Sequence, residues 1–460
     1  MMENKKMEAA LRVGQQVELK IDGYGHDGEG VGRFRNFTVF VPDLLKGEQA
    51  LVKITEVKKN FARGVIRKIN RTAPERIKPA CVIARDCGGC QLQHLKYEAQ
   101  LQMKQQRVID AVERIGGLKG VTVHPVLGMA DPWHYRNKAQ YPVGIENIAV
   151  VIGFYKKGTH QIVPLKECLL QPSPVNRLAN KIREIVEKNH VAIYDEQTGT
   201  GLLRHVLLRY GFHSGEMMVV FVTNGAQFLA GEKLARELVM LYPEIKSVVQ
   251  NINESRDNVI LGTVTKVLWG KETIVDRIGK LKFKISAQSF FQVNPVQTEV
   301  LYQKAVAYAG LTGQETVLDA YSGVGSLSLF LAQNAKKVYG IEVVAEAVKN
   351  ANESAAFNDV HNVQFIMGTV EKVLPQLVKG GTEFQAAVVD PPRSGCEESV
   401  FKAMAASKIK RIVYVSCNPS TMARDLKLMD GLGYKTVEIQ PVDMFPQTFH
   451  VECVARVEKK

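Results

Sequence analysis

The chain has 460 residues, 45% of them hydrophobic, and carries 60 Lys and Arg against 47 Asp and Glu, a net charge of +13. That length exceeds one compact core and implies two or three domains, and the apolar share excludes a disordered polymer. No apolar run approaches the roughly 20 residues a membrane helix needs, and Met1-Met2-Glu3-Asn4-Lys5-Lys6 leads into no apolar signal core. A cytoplasmic protein with no membrane partner is expected. The basic excess favours a polyanionic partner, because neutralised phosphates release counterions, although a merely basic soluble protein has the same balance.

Three parts follow one another along the chain. Up to about residue 75, short β-type runs such as Gln16-Val17-Glu18-Leu19-Lys20-Ile21, Phe37-Thr38-Val39-Phe40-Val41 and Ala50-Leu51-Val52-Lys53-Ile54 alternate with glycine-rich turns. This pattern predicts a small N-terminal β-barrel. Lys53, Lys58, Lys59, Arg63, Arg67, Lys68 and Arg71 would give it a basic face, as in oligonucleotide-binding barrels or on any solvated surface. A linker with Pro74 and Pro79 leads into residues 76–285, which mix helix and strand as an α+β central domain. A long helix over about 95–116 and strands at Met218–Val222 and Ser247–Asn251 are predicted there. From about 286 to 460, strand-like runs (Thr316–Ala320, Lys337–Ile341, Val363–Ile366, Ala386–Val389, Arg411–Val415) alternate with helical patterns. That alternation predicts an α/β, doubly wound, Rossmann-like domain with a mostly parallel sheet.

The first of these strands runs into Asp319-Ala320-Tyr321-Ser322-Gly323-Val324-Gly325-Ser326, and Glu342 ends the second. A glycine turn lets a ligand approach the backbone, and an acid at the next strand end can accept from both ribose hydroxyls. Gly-x-Gly alone is equally a tight structural turn. Ser328 stands where a dinucleotide fingerprint has its third glycine, which argues against NAD and for S-adenosylmethionine, a cofactor without a pyrophosphate. Two later strand ends read Asp390-Pro391-Pro392-Arg393 and Ser416-Cys417-Asn418-Pro419. Ligands of open α/β sheets lie outside the carboxyl ends of the strands, so Asp390 and Cys417 are expected to face the crevice of Gly323 and Glu342. A free cysteine is more commonly a buried small hydrophobe, the reading kept for Cys396 and Cys453.

With Phe290-Phe291-Gln292-Val293-Asn294 and His450-Val451-Glu452, these motifs resemble the RNA uracil-5-methyltransferase family, and the first segment resembles the TRAM barrel found in RNA-modifying enzymes. The resemblance extends over essentially the whole chain. It implies an RNA partner and S-adenosylmethionine as methyl donor. It also implies Cys417 as a nucleophile that adds to C6 of uracil, and Glu452 as the base that removes the C5 proton. Gln292, Tyr321, Glu342 and Asp390 match cofactor-binding positions, with Gly323 in the turn and Asn358 near the cofactor's adenine. Asp390 could also touch the target base, and the uridine must leave any stack to be attacked.

Seven cysteines in a chain of this size make a disulfide scaffold improbable. Cys81-x5-Cys87-x2-Cys90 with the distant Cys168 offers four thiolates, which suit zinc or an iron–sulfur cluster. The same spacing in the ribosomal branch of the family implies a [4Fe–4S] cluster that braces the central domain. Barrel and cysteines together point to 23S ribosomal RNA, met before or during ribosome assembly; a monomer is expected. The alternatives are a transfer-RNA uracil-5-methyltransferase and, in another class, a non-catalytic RNA-binding or RNA-folding protein. An amino-methyltransferase usually has an aromatic after Asp-Pro-Pro, where Arg393 stands here.

Overall fold

The structure, a computed structural model, describes residues 11–460; the N-terminal six-residue stretch read above lies outside the described residues. The chain forms two compact units, one of residues 11–104 and 446–449, the other of 105–445 and 450–460.

The first unit contains a closed barrel of β1 (Gln16–Tyr24), β2 (Gly30–Phe34), β3 (Phe37–Val41), β4 (Gln49–Val57) and β5 (Phe61–Arg71), in the order β1-β2-β3-β5-β4. Alternation in β1 turns Val17, Leu19 and Ile21 inward, where they meet Val39, Val52 and Ile54. The lysines and arginines of β5 defeat any hydrophobic pattern, which is why the strand is not legible as one. After the barrel, Arg76 donates from Nε (2.5 Å) and Nη2 (2.7 Å) to the fully buried carboxylate of Glu48, which also accepts the Leu45 and Ala73 N–H groups.

Helix α1 (Tyr97–Arg114) contains the boundary between the units. In the second unit its Val108 and Val112 pack with Met422 and Leu426 against the C-terminal sheet. Next come β6 (Thr122–Val123), β7 (Lys138–Glu146), β8 (Ala149–Tyr155), β9 (Ile162–Pro164), α2 (Ser173–Lys188), β10 (Leu203–Tyr210), β11 (Met217–Thr223), α3 (Gly231–Leu241), β12 (Ile245–Ile252) and β13 (Val264–Gly270). Strands β7 to β13 make a seven-stranded sheet, order β13-β12-β11-β10-β7-β8-β9, with α2 and α3 on one face. Its other face sends Leu207, Met218, Val220 and Val249 into a core shared with the C-terminal region. A hairpin of β14 (Ile274–Ile278) and β15 (Leu281–Ile285) and helix α4 (Pro295–Ala309) contribute to that core.

The C-terminal region comprises β16 (Thr316–Asp319), α5 (Ser326–Ala332), β17 (Lys337–Glu342), α6 (Ala345–Phe357), β18 (Val363–Met367), α7 (Val370–Lys379), β19 (Ala386–Val389), α8 (Glu398–Ala406), β20 (Arg411–Ser416), α9 (Pro419–Gly431), β21 (Tyr434–Val442) and β22 (Glu452–Lys459). The sheet order is β18-β17-β16-β19-β20-β22-β21-β6, with β16 to β20 mutually parallel and β22 antiparallel to β20. Buried clusters on both faces make it the expected doubly wound sheet. The strand order reverses between β16 and β19, the switch point at which such folds bind ligands. Among the described residues no helix is long and apolar enough to cross a membrane.

Candidate active site

The glycine turn forms where β16 ends. Gly323 (φ 52°) and Gly325 (φ 81°) both have left-handed backbones, disfavoured for residues with a Cβ. A Cβ on Gly325 would lie 2.6 Å from the Phe365 ring, whereas one on Gly323 would meet nothing within 4 Å. Close packing thus demands the second glycine, and the first leaves an open cradle. The carboxylate of Glu342 accepts the N–H groups of Gly323 (3.0 Å) and Val344 (2.8 Å), which brings the predicted acid to the predicted turn. Ser328, in place of a third glycine, donates its hydroxyl to Asp319 at 2.6 Å. The other Asp319 oxygen and the hydroxyl of Ser322 are buried with no partner among the described residues.

Asp390 follows β19 across the switch point from Asp319. Burial pushes Asp390 up to about 7, assisted by the charge of Asp319, and burial raises Asp319 to about 6. Tyr302 of α4 is buried below them, hydrogen-bonded to Ser326 (2.8 Å), and its ionisation is pushed up by burial and then by Asp390, Asp319 and Glu452. One buried ring thus senses acids from three different strands. It stands inside a helix, where nothing in the local sequence marks it.

Cys417 sits on the turn from β20 into α9. That turn is built locally: the Asn418 side chain caps α9 by accepting from the Ser420 N–H (3.1 Å), and Pro419 fits the first helical position because its missing N–H needs no partner there. The register of β20 against β22 ends at Ser416 opposite Cys453. Cys417 lies in the bend one residue beyond that last pair, and Glu452, the first residue of β22, is paired on its other side with Val442. Burial raises Glu452 to about 8, with Asp390 adding and Arg393 opposing. Burial, then Glu452 and Asp390, raise Cys417 to about 11, again against Arg393. The predicted nucleophile, base and acid therefore share one electrostatic neighbourhood. Arg393 is its cation, a role its place in Asp390-Pro391-Pro392-Arg393 did not disclose.

Gln292 and Val293 are anchored through their carbonyls, which accept from the side chain and N–H of Asn137 at 2.8 and 2.9 Å. Tyr321 is half-buried with its hydroxyl against the Cys396 thiol; burial and the tyrosine's surroundings raise its ionisation. Cys396 is buried, and its N–H donates to the fully buried Asp425, which also accepts from Tyr414 at 2.6 Å. A shallow cleft lined by Phe283, Phe290, Phe291, Val324, Ser354 and Phe357 opens beside the glycine turn. Asn358 is not brought to the acids. It ends α6, exchanges 2.7 Å hydrogen bonds with the N–H and carbonyl of Lys282, and so docks the hairpin of β14 and β15.

Cys81, Cys87 and Cys90 lie in one turn-rich loop of the first unit and Cys168 in the second unit. The Gly89 N–H points at the Cys87 sulfur (3.4 Å), and burial raises the Cys87 thiol. Asn176 brackets Cys168, accepting its N–H (2.9 Å) and donating to its carbonyl (3.1 Å). None of the seven cysteines forms a disulfide. Among the described residues no three of His, Cys, Asp and Glu are grouped to hold a metal ion.

A doubly wound sheet with an acid-lined crevice at its switch point is the architecture of enzymes that bind a nucleotide-type cofactor. The chain belongs to the tRNA (uracil-5-)-methyltransferase family, which it matches over residues 96–460, and it matches the TRAM domain over residues 10–66. It is 50% identical over 457 residues to an RNA methyltransferase of Bacillus cereus, covering 99% of both chains, and 48% identical to one of Oceanobacillus iheyensis, covering 96% of both. Among solved structures it is similar to the Pyrococcus abyssi tRNA (uracil-54, C5)-methyltransferase in complex with S-adenosyl-L-homocysteine. That similarity has a TM-score of 0.78 and 29% identity, covering 96% of this chain and all of that one. The fold is thus that of an S-adenosylmethionine-dependent RNA methyltransferase.

Proposed function

We propose that the protein methylates C5 of a uridine in 23S ribosomal RNA, before or during ribosome assembly, through a covalent bond from Cys417 to C6 of the base. The observation that carries this reading is the shared electrostatic neighbourhood of Cys417, Glu452 and Asp390 at the switch-point edge of the sheet. The thiolate of Cys417 adds to C6, and the displaced electron pair makes C5 nucleophilic as an enolate. S-adenosylmethionine supplies the methyl group that C5 takes. Glu452 then removes the C5 proton, the C5–C6 double bond re-forms, and the thiolate leaves. Arg393 favours the thiolate against the two acids, and the uridine enters unstacked. The residues suit the cofactor: the cradle over Gly323 is open, and Asp319 and Ser322 present unpartnered buried oxygens. Gln292, Tyr321, Gly323, Glu342 and Asp390 would hold it, with Asn358 at its periphery. RNA bearing 5-fluorouridine, which has no C5 proton to lose, should trap the protein covalently. A stable adduct with Cys417→Ala would refute the assignment.

We infer further that the chain is organised as an RNA-binding barrel (1–75), a central domain (76–285) and a methyltransferase domain (286–460), and that Cys81, Cys87, Cys90 and Cys168 hold a [4Fe–4S] cluster. Four thiols outside any disulfide, one receiving a backbone N–H, suit such a cluster. Methyl transfer is redox-neutral, so its role would be structural. Anaerobic purification with an iron assay tests this; colourless protein with stoichiometric zinc would refute it. One observation favours transfer RNA as the substrate instead: the Pyrococcus enzyme aligns over 96% of this chain, so the barrel does not separate the two readings. Mass-spectrometric mapping of 5-methyluridine in both RNAs, from cells with and without the gene, decides between them.

A further inference from the structure

The central sheet carries a group of cations that methyl transfer leaves unused. Lys138 opens β7 directly opposite Arg209 of β10, so both side chains project from one face. It is the face that carries Leu207 into the core shared with the C-terminal region. Arg209 is only 4% exposed. Its Nη2 donates to the carbonyls of Ala287 (3.1 Å) and Ser289 (2.5 Å), and its Nε is buried without a partner. Arg136 stands two residues before Lys138. None of the three has a carboxylate partner among the described residues. Burial and the two arginines push Lys138 down to about 8, and burial pushes Arg209 down to about 10. Grouped, partly desolvated cations without an anion repel one another, and an arriving anion removes that repulsion.

The group frames one segment. Arg209 holds residues 287 and 289, and Asn137, between Arg136 and Lys138, holds Gln292 and Val293. In that segment Phe290 is 70% exposed. Cations that hold the backbone next to an exposed aromatic residue suit single-stranded nucleic acid, whose phosphates pair with charge while a base stacks on a ring. Lys138 is half-buried, whereas Arg209, its cross-strand partner, is buried.

We propose that Lys138, backed by Arg209 and Arg136, seats a backbone phosphate of the single-stranded RNA segment that carries the target nucleotide. The inference rests on the RNA-methylating reading above. The test is anisotropy titration of a fluorescein-labelled, uridine-containing 12-nucleotide RNA with full-length wild-type and Lys138→Gln protein, from 50 to 300 mM KCl. Losing one phosphate contact lowers the slope of log affinity against log salt by about 0.7, which weakens binding about fivefold at 0.1 M salt. Lys138→Arg should retain both values, and the affinity of each variant for S-adenosylhomocysteine should stay at the wild-type level. A Lys138→Gln slope and affinity equal to wild type would overturn the proposal. So would selective displacement of RNA by inorganic phosphate over chloride at equal ionic strength, which would assign the seat to the free ion. Binding is read without turnover. A wild type that methylates no uridine would sink the functional reading alone, and an unchanged slope in an active enzyme would sink the phosphate seat alone.

Discussion

Replacing Glu452 by glutamine should make the protein more stable and less active at once. Glu452 is 5% exposed and its carboxyl is raised from 4.5 to about 8, first by burial and then by Asp390. A carboxyl that binds its proton more tightly folded than unfolded contributes stability that is full below its unfolded value and is lost as pH rises through its folded value. Above pH 8 the native state must hold this buried charge. At about 1.4 kcal/mol per pH unit, the interval from 4.5 to about 8 sets a ceiling of about 5 kcal/mol. Glutamine carries no charge but still buries an amide, which costs about 1 to 3 kcal/mol where partners are lacking. The expected net gain is therefore at most about 2 to 4 kcal/mol at pH 8.5, vanishing or reversing at pH 4.5. Urea unfolding of both proteins at the two pH values measures it. An equal difference at both would refute the assignment of a raised, buried carboxyl. As the base, Glu452 must be ionised, so the wild-type rate should fall as pH drops below about 8. Glu452→Gln should lower turnover by about 10²- to 10⁴-fold and accumulate the protein–RNA adduct. Normal turnover without adduct would remove Glu452 from the chemistry.

Three other substitutions test separate steps of the argument. Burial opposes ionisation of Glu48, but Arg76 and the Leu45 and Ala73 N–H groups outweigh it and hold the carboxyl below its usual value. Its stabilisation is present above about 4.5 and is lost as pH falls through the lower folded value; Glu48→Leu, which strands Arg76, should cost about 3 to 5 kcal/mol in neutral-pH unfolding and much less in acid. Gly325→Ala combines a left-handed backbone with a Cβ 2.6 Å from Phe365. It should cost about 2 to 4 kcal/mol, and calorimetry should show weaker S-adenosylmethionine binding. Asn358→Ala removes the clasp on Lys282 and should lower stability by about 1 to 2 kcal/mol while cofactor affinity stays within twofold. A tenfold loss of affinity would instead make Asn358 a direct cofactor ligand.

The legible parts of this protein are those whose cause is local. Four of the five parallel strands of the C-terminal sheet, β16, β17, β19 and β20, are apolar runs closed by a residue with polar or reactive chemistry: Asp319, Glu342, Asp390, Cys417. The glycine turn and the Asn-Pro start of α9 are equally local. What the sequence conceals is pairing between distant segments. The hairpin of β14 and β15, the anchoring of Gln292 by Asn137, and the facing of Lys138 and Arg209 all depend on partners tens of residues away. Asn358 shows the same limit, since its amide serves a main chain 76 residues earlier.

Glu452 shows why a strand-end rule alone fails here. The rule that ligands gather outside carboxyl ends finds Glu342, Asp390 and Cys417, because β17, β19 and β20 are parallel. Strand β22 runs the other way, so its first residue, not its last, reaches the same edge. A search of strand ends would look beyond Lys459 and miss the carboxylate; only resemblance to a family pointed to it. The reversal also bears on the chemistry. A parallel neighbour would stagger its residues against β20, whereas the antiparallel register, ending in the pair Ser416 and Cys453, brings Glu452 to the end at which Cys417 leaves β20. A nucleophile and a base that act on adjacent carbons of one ring need fixed mutual placement, and the reversed strand provides it from the backbone. If that argument is right, shifting the register while keeping both residues should abolish turnover. Inserting one alanine between Glu452 and Cys453 does so, and should leave cofactor binding at Gly323 and Glu342 intact in calorimetry. An insertion variant that folds, binds cofactor and still methylates would show that this register is not what positions the chemistry.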